Sequence, residues 1–131
     1  MARVQAALHR LLPGLLLAYG AASLVHFTHN AEFLADYPGL PLSWTRGDVY
    51  LAWLAMTAVG LLGWWLLRRG HAIAGPLVLA AYAVLGLDSL GHYFLAPFAA
   101  HSAAMNATIL TEVAAAALVL GYALMLVIRR P

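Results

Sequence analysis

The chain has no cysteine and no lysine. The first absence removes disulfides, thiolate nucleophiles, paired-cysteine zinc sites and iron–sulfur ligation together. The second leaves arginine as the main carrier of positive charge. Charge of either sign is scarce: 9% of the 131 residues are Asp, Glu, Lys or Arg, against about 25% in a soluble domain. With 64% of the residues apolar, there is too little polar surface to cover a globule in water. The net charge of +2 comes from dispersed arginines and forms no basic patch, so nucleic acid is not an expected partner. Neither a repeat nor a low-complexity tract interrupts the sequence.

What is abundant is the long apolar run. A helix crossing the hydrocarbon core of a bilayer needs about 20 such residues, and four stretches qualify: 11–29, 49–67, 72–95 and 105–128. Pro38, Gly39 and Pro41 break the first connection, Arg68-Arg69-Gly70 forms the second, and Pro97 to Ser102 forms the third. Ser102 is placed to cap the last helix. The expected fold is all-α: a single transmembrane domain over residues 1–131, arranged as a four-helix bundle. The arginines orient it. Arg3, Arg10, Arg68, Arg69, Arg129 and Arg130 fall on one side of the four spans and Arg46 on the other, so both termini are expected in the cytoplasm of a bacterial inner membrane. The run from Arg3 through Gly20-Ala21-Ala22 also has the shape of a signal peptide. Cleavage there would strand the C-terminal arginines on the wrong side, which favours four spans.

The acids sort to the opposite end. Glu32, Asp36 and Asp48 lie in or beside the first outer loop, Asp88 near the outer end of span three, and Glu112 in span four. His26, His29, His92 and His101 accompany them. Tyr19, Ser23, His26 and Asn30 share one helical face, as do Met105, Thr108 and Glu112, while Asp88 and His92 are spaced i, i+4. Such faces are expected to turn inward around a polar pocket open to the outer, periplasmic side. Ionisable groups inside spans are costly and are functional candidates by default. Asp88 and Glu112 must pair, take up a proton or bind a cation there, with His26 and His92 as the nearest partners.

A metal site is the sharpest expectation. His26, Asp88, His92 and Glu112 offer the nitrogen and oxygen donors that suit zinc, copper or iron. Glu112 or Asp88 would then serve as a catalytic base, with His29, Asn30, Glu32, His101 and Asn106 as supporting or entry residues. The paired ligand motifs of diiron bundles are absent. Haem ligated by His26 and His92 is a further option. Without metal, the same groups suit proton transfer on a lipophilic substrate or binding of a lipid or sterol-like molecule. The third alternative is structural, with the polar residues simply pairing helices. The layout of four spans in a small chain, with polar groups inside, resembles the EXPERA group of sterol isomerases and sterol-binding proteins. The resemblance is architectural, since the acid that group would place in span two has no counterpart in 49–67.

The remaining features read as structural. His9 and His71 fall with the inner arginines, and Trp44, Trp64 and Trp65 look like interfacial anchors. Trp53 belongs to a span-two stripe with Tyr50, Thr57, Gly60 and Trp64 that could wall the pocket. The 31–47 connection is long enough to fold over it. Ala114 to Ala117 would let helices approach closely, within one chain or in a homo-oligomer.

Overall fold

The computed structural model describes residues 2–129, with side chains from Arg10 to Arg129. The expectations for the side chains of Arg3 and His9, and for Arg130, lie outside the described residues. The helices are α1 (Ala2–Glu32), α2 (Arg46–Arg68), α3 (Ala74–Leu87), the single turn α4 (His92–Leu95) and α5 (Ala103–Ile128). A 3₁₀ turn, Asp88–Gly91, joins α3 to α4, and two others lie in the loops at Leu34–Asp36 and Phe98–Ala100. No strand occurs among the described residues.

Four segments are long and apolar enough to cross a membrane: Arg10–Glu32, Arg46–Arg68, Ala74–Leu95 and Ala103–Ile128. They match the expected spans and extend the first two by several residues. Their outward faces carry large bare side chains such as Leu17, Leu61, Phe94 and Leu118. A soluble monomer rarely exposes so continuous an apolar belt.

Local chemistry explains where the helices start and stop. Thr45 caps α2 in a reciprocal box with Asp48, whose amide donates to Thr45 Oγ1 at 3.2 Å while Asp48 Oδ2 accepts from the Thr45 amide at 2.9 Å. Ser102 caps α5 as expected, accepting from the Met105 amide at 3.2 Å. At the far end of α2, Gly70 adopts a φ of +84°. The His71 amide reaches Leu66 O and the Gly70 amide reaches Leu67 O, the double bond of a Schellman stop.

Small residues then set the packing. A Cβ at Gly60 would collide with the Tyr82 ring, and one at Gly63 with Leu79, so α2 and α3 form a close seam. Tyr19 anchors α1 to α3: its hydroxyl donates to Tyr82 O at 2.9 Å, and the two rings pack at a tilt of 39° with centres 4.4 Å apart. The core below the polar end consists of Tyr19, Met56, Tyr82, Ala83, Ala116 and Val119, followed by Leu12, Leu79, Tyr122 and Ala123.

Candidate functional site

Where α1 ends and α5 begins, the bundle interior changes from apolar to polar. The i, i+4, i+7, i+11 face of α1 is buried along its length: Tyr19, Ser23, His26 and Asn30 all point inward. On α5, Met105, Ile109 and Glu112 do the same, and Thr108 is half-buried. Glu112 is 0% exposed and sits at the centre of the arrangement. Ser89 Oγ donates to Glu112 Oε2 at 2.6 Å, and His26 Nε2 lies 3.7 Å from the same oxygen. On its other side, His26 Nδ1 is 3.3 Å from Thr108 Oγ1, whose own proton goes to Met105 O at 3.0 Å. Thr108 is thereby left to accept, which places the proton of neutral His26 on Nδ1 and turns the Nε2 lone pair toward Glu112.

From His26 a row of rings leads away from Glu112. His92 follows at 5.4 Å between ring centres, and His101 lies 6.1 Å beyond it. Asn30 Nδ2 bonds His92 Nε2 at 3.2 Å. Tyr37, from the α1–α2 connection, packs on both His26 and His92 and bonds His29 Nδ1 at 2.9 Å. Burial pushes the Tyr37 hydroxyl up to about 12, so at neutral pH it keeps its proton and can donate it to His29. His29 in turn lines an open cleft of about 480 Å³ together with Phe33, Asp36, Ser102 and Met105. Packed rings, with one hydrogen bond between His29 and Tyr37, thus lead from the surface cleft to a fully buried carboxyl group.

No protein-family model, no curated protein and no solved structure matches the chain. The site must be read from its own geometry.

That geometry brings His26, His92 and Glu112 together and leaves Asp88 out. Asp88 is exposed, and the reason is local. In an α-helix, residues four apart lie about 40° apart around the axis. The 3₁₀ turn Asp88–Gly91 advances about 120° per residue, which separates positions four apart by about 120° and eclipses those three apart. Ser89 therefore shares the buried face with His92, and Asp88 is swung away. The expected pairings change accordingly: Glu112 meets His26 and Ser89, and Asp88 meets neither His26 nor Glu112. Among the described residues, no three His, Cys, Asp or Glu side chains converge closely enough to hold a metal ion.

The supporting residues divide in the same way. His29, Asn30 and His101 border the row. Glu32 does not, since it faces outward to Arg46 at 3.2 Å and Tyr50 at 2.8 Å. Asn106 is a structural clamp: it accepts from Tyr93 Oη at 2.9 Å and donates to Phe98 O and His101 O at 3.3 Å each. It thereby fixes the turn that presents His101.

Ser89 and Tyr37 are the residues that sequence reasoning missed. A helical wheel hides Ser89, and Gly91 beside it was the one available hint of an irregular turn. Tyr37 is carried into the site because the loop closes tightly. Gly39 adopts a φ of +80°, and a Cβ there would lie 2.8 Å from Leu95 O, so the loop rests on the end of α4. Four buried atoms around the row have no hydrogen-bond partner among the described residues: Glu112 Oε1, His92 Nδ1, Asn30 Oδ1 and His101 Nε2. Such spare capacity is rare in a settled interior and suits a small polar guest or a water chain.

Proposed function

We propose that this is an integral membrane protein with an acid–base site, in which Glu112 exchanges a proton with the polar end of the bundle through His26. One observation carries the reading. Glu112 is completely buried, bonded to Ser89 and faced by the Nε2 lone pair of His26, which packs on Tyr37, and Tyr37 bonds His29 in a surface cleft. A carboxyl group held in that way can give a proton to a bound substrate, or take one from it, and be reset from outside. The arginine distribution supports cytoplasmic termini and a site facing the outer side of a bacterial inner membrane. The substrate class that fits is a small or lipophilic molecule with one protonatable or polar group.

Infrared difference spectroscopy on the protein in lipid vesicles tests this. The expected result is a carboxylic-acid band that responds reversibly to bulk pH and disappears in Glu112→Gln. In His26→Leu the band should persist but respond far more slowly. A Glu112 band that never responds to pH, or one whose response is unchanged in His26→Leu, would overturn the reading.

A second reading keeps a transition metal (zinc, copper or iron) at the same end. It is favoured by two unpartnered nitrogens, His92 Nδ1 and His101 Nε2, on rings 6.1 Å apart. Elemental analysis after gentle extraction decides it. Stoichiometric metal in the wild type and none in His101→Ala would support it, whereas metal-free wild type would count against it.

A further inference from the structure

The hydrogen bonds around His26 do not follow the row of imidazoles. His26 and His92 meet edge to face, at 78° with centres 5.4 Å apart. His92 Nε2 is turned to Asn30 Nδ2 at 3.2 Å, and its Nδ1 has no partner among the described residues. A proton therefore finds no bonded step from His26 to His92. The bond that His26 does make goes the other way, from Nδ1 to Thr108 Oγ1 at 3.3 Å. Thr108 Oγ1 also lies within hydrogen-bonding reach of the Tyr37 hydroxyl, and Tyr37 bonds His29 Nδ1 at 2.9 Å. One hydroxyl in the second turn of α5 thus stands between the ring that faces Glu112 and the phenol that reaches the cleft. The other titratable groups nearby are His92 on α4 and Glu112 itself, with Tyr19 and Tyr82 on the core side of Glu112.

With its own proton on Met105 O, 3.0 Å away, Thr108 can only accept. The line from His26 to Tyr37 is then broken, and turning one O–H bond toward the Tyr37 oxygen completes it, since a hydroxyl both donates and accepts. We infer that the Thr108 hydroxyl is the link through which Glu112 exchanges protons with the cleft, made and broken by turning its O–H between Met105 O and Tyr37. The inference rests on the acid–base reading and supplies its route. The transfers balance. The Glu112 proton passes to His26 Nε2 as the His26 Nδ1 proton passes to Thr108 Oγ1. The Thr108 proton passes to Tyr37, and the Tyr37 proton to His29 Nδ1. His29 is half-buried and lines the cleft; with Nδ1 accepting from Tyr37, its neutral ring carries its proton on Nε2, and that proton goes to water. One proton leaves Glu112, one reaches the cleft, and no phenolate or imidazolium remains. The reverse sequence reloads Glu112.

The test follows the Glu112 infrared band in time after a pH jump on the protein in lipid vesicles. Thr108→Val keeps the shape of the side chain and removes the hydroxyl, so the band should remain and its response slow about a hundredfold. Thr108→Ser should restore the wild-type rate, which a packing role for the threonine would not produce. Tyr37→Phe should slow the response by a similar factor, and combining it with Thr108→Val should slow it no further, because one line is cut twice. Nitrogen NMR of His26 separates the route from the tautomer: Tyr37→Phe should leave the Nδ1–H form in place, whereas Thr108→Val should remove the preference for it. A wild-type rate in Thr108→Val or in Tyr37→Phe, with His26→Leu slow, would overturn the inference and leave the acid–base reading standing. A wild-type band that ignores pH would overturn both. Should Thr108→Val fail to fold, Tyr37→Phe, which alters no helix, decides it alone.

Discussion

The two ends of the bundle handle their ionisable groups in opposite ways. At the arginine end, Arg10, Arg68, Arg69, His71 and Arg129 are exposed. Two of them lay their guanidinium groups over Trp64 and Trp65 at 5.6 and 5.2 Å. The interior beside them, Leu12, Leu79, Tyr122 and Ala123, is apolar. At the polar end, His26, His92, His101, Asn30, Asn106, Ser89 and Glu112 are buried, and each has a polar neighbour inside the bundle. Charges that only anchor a helix end can stay wet, because stacking on an interfacial ring requires no desolvation. Groups drawn into the bundle need partners, and a bundle that merely needed holding together could have used leucine. The contrast is what the proposed acid–base site requires of the polar end.

The largest effect should come from breaking the centre of that end. Glu112→Ala removes the acceptor of Ser89 and the group facing His26, and leaves a gap. The expected loss is about 2–4 kcal/mol. Asp88→Ala, four residues from His92 but exposed, should change stability by less than about 0.5 kcal/mol. Unfolding both variants in the same detergent gives the comparison. Equal losses would mean that Asp88 contributes to the interior after all, and the contrast between neighbours would collapse.

Why Asp88 misled the sequence reading is instructive. Hydropathy and arginine placement were enough for the spans, since both depend on composition over many residues. The buried face of α1 was also legible, because α1 is regular from Ser23 to Asn30 and the 3.6-residue period holds there. It failed at Asp88 because that period stops at Asp88–Gly91, where a 3₁₀ turn changes the angle per residue. Ser89 entered the site by the same change. Tyr37 was illegible for a different reason: its position depends on where a loop lands, and that contact lies between Gly39 and Leu95, far apart in sequence.

An intermediate effect should follow at the rim. Asn106 holds Tyr93, Phe98 and His101 through three bonds, so Asn106→Ala should cost about 1–3 kcal/mol and loosen the turn that carries His101. His71→Ala at the arginine end is the matched control and should be silent. Hydrogen exchange of the backbone around 98–102 would distinguish a local loosening from a general one. Uniform loss of protection across α5 would show that Asn106 supports the whole helix, and not just the turn.

The smallest effect concerns the loop residue that covers the site. The Tyr37 hydroxyl ionises near 10.0 in an open chain and, by burial, is pushed up to about 12 in the folded protein. Between those values the unfolded state has given up a proton that the folded state still holds, so stability falls as pH rises through that window. Below it, Tyr37 adds no pH dependence. Tyr37→Phe abolishes the difference and also the bond to His29, so the variant should be about 1 kcal/mol less stable at neutral pH. Its stability should then decline less steeply than wild type in strongly alkaline solution, and the two curves should draw together. All other titrating groups are common to both proteins, so the difference between the curves isolates this hydroxyl. Parallel curves would mean that Tyr37 meets water in solution, leaving the row of rings open at its outer end rather than closed by the loop.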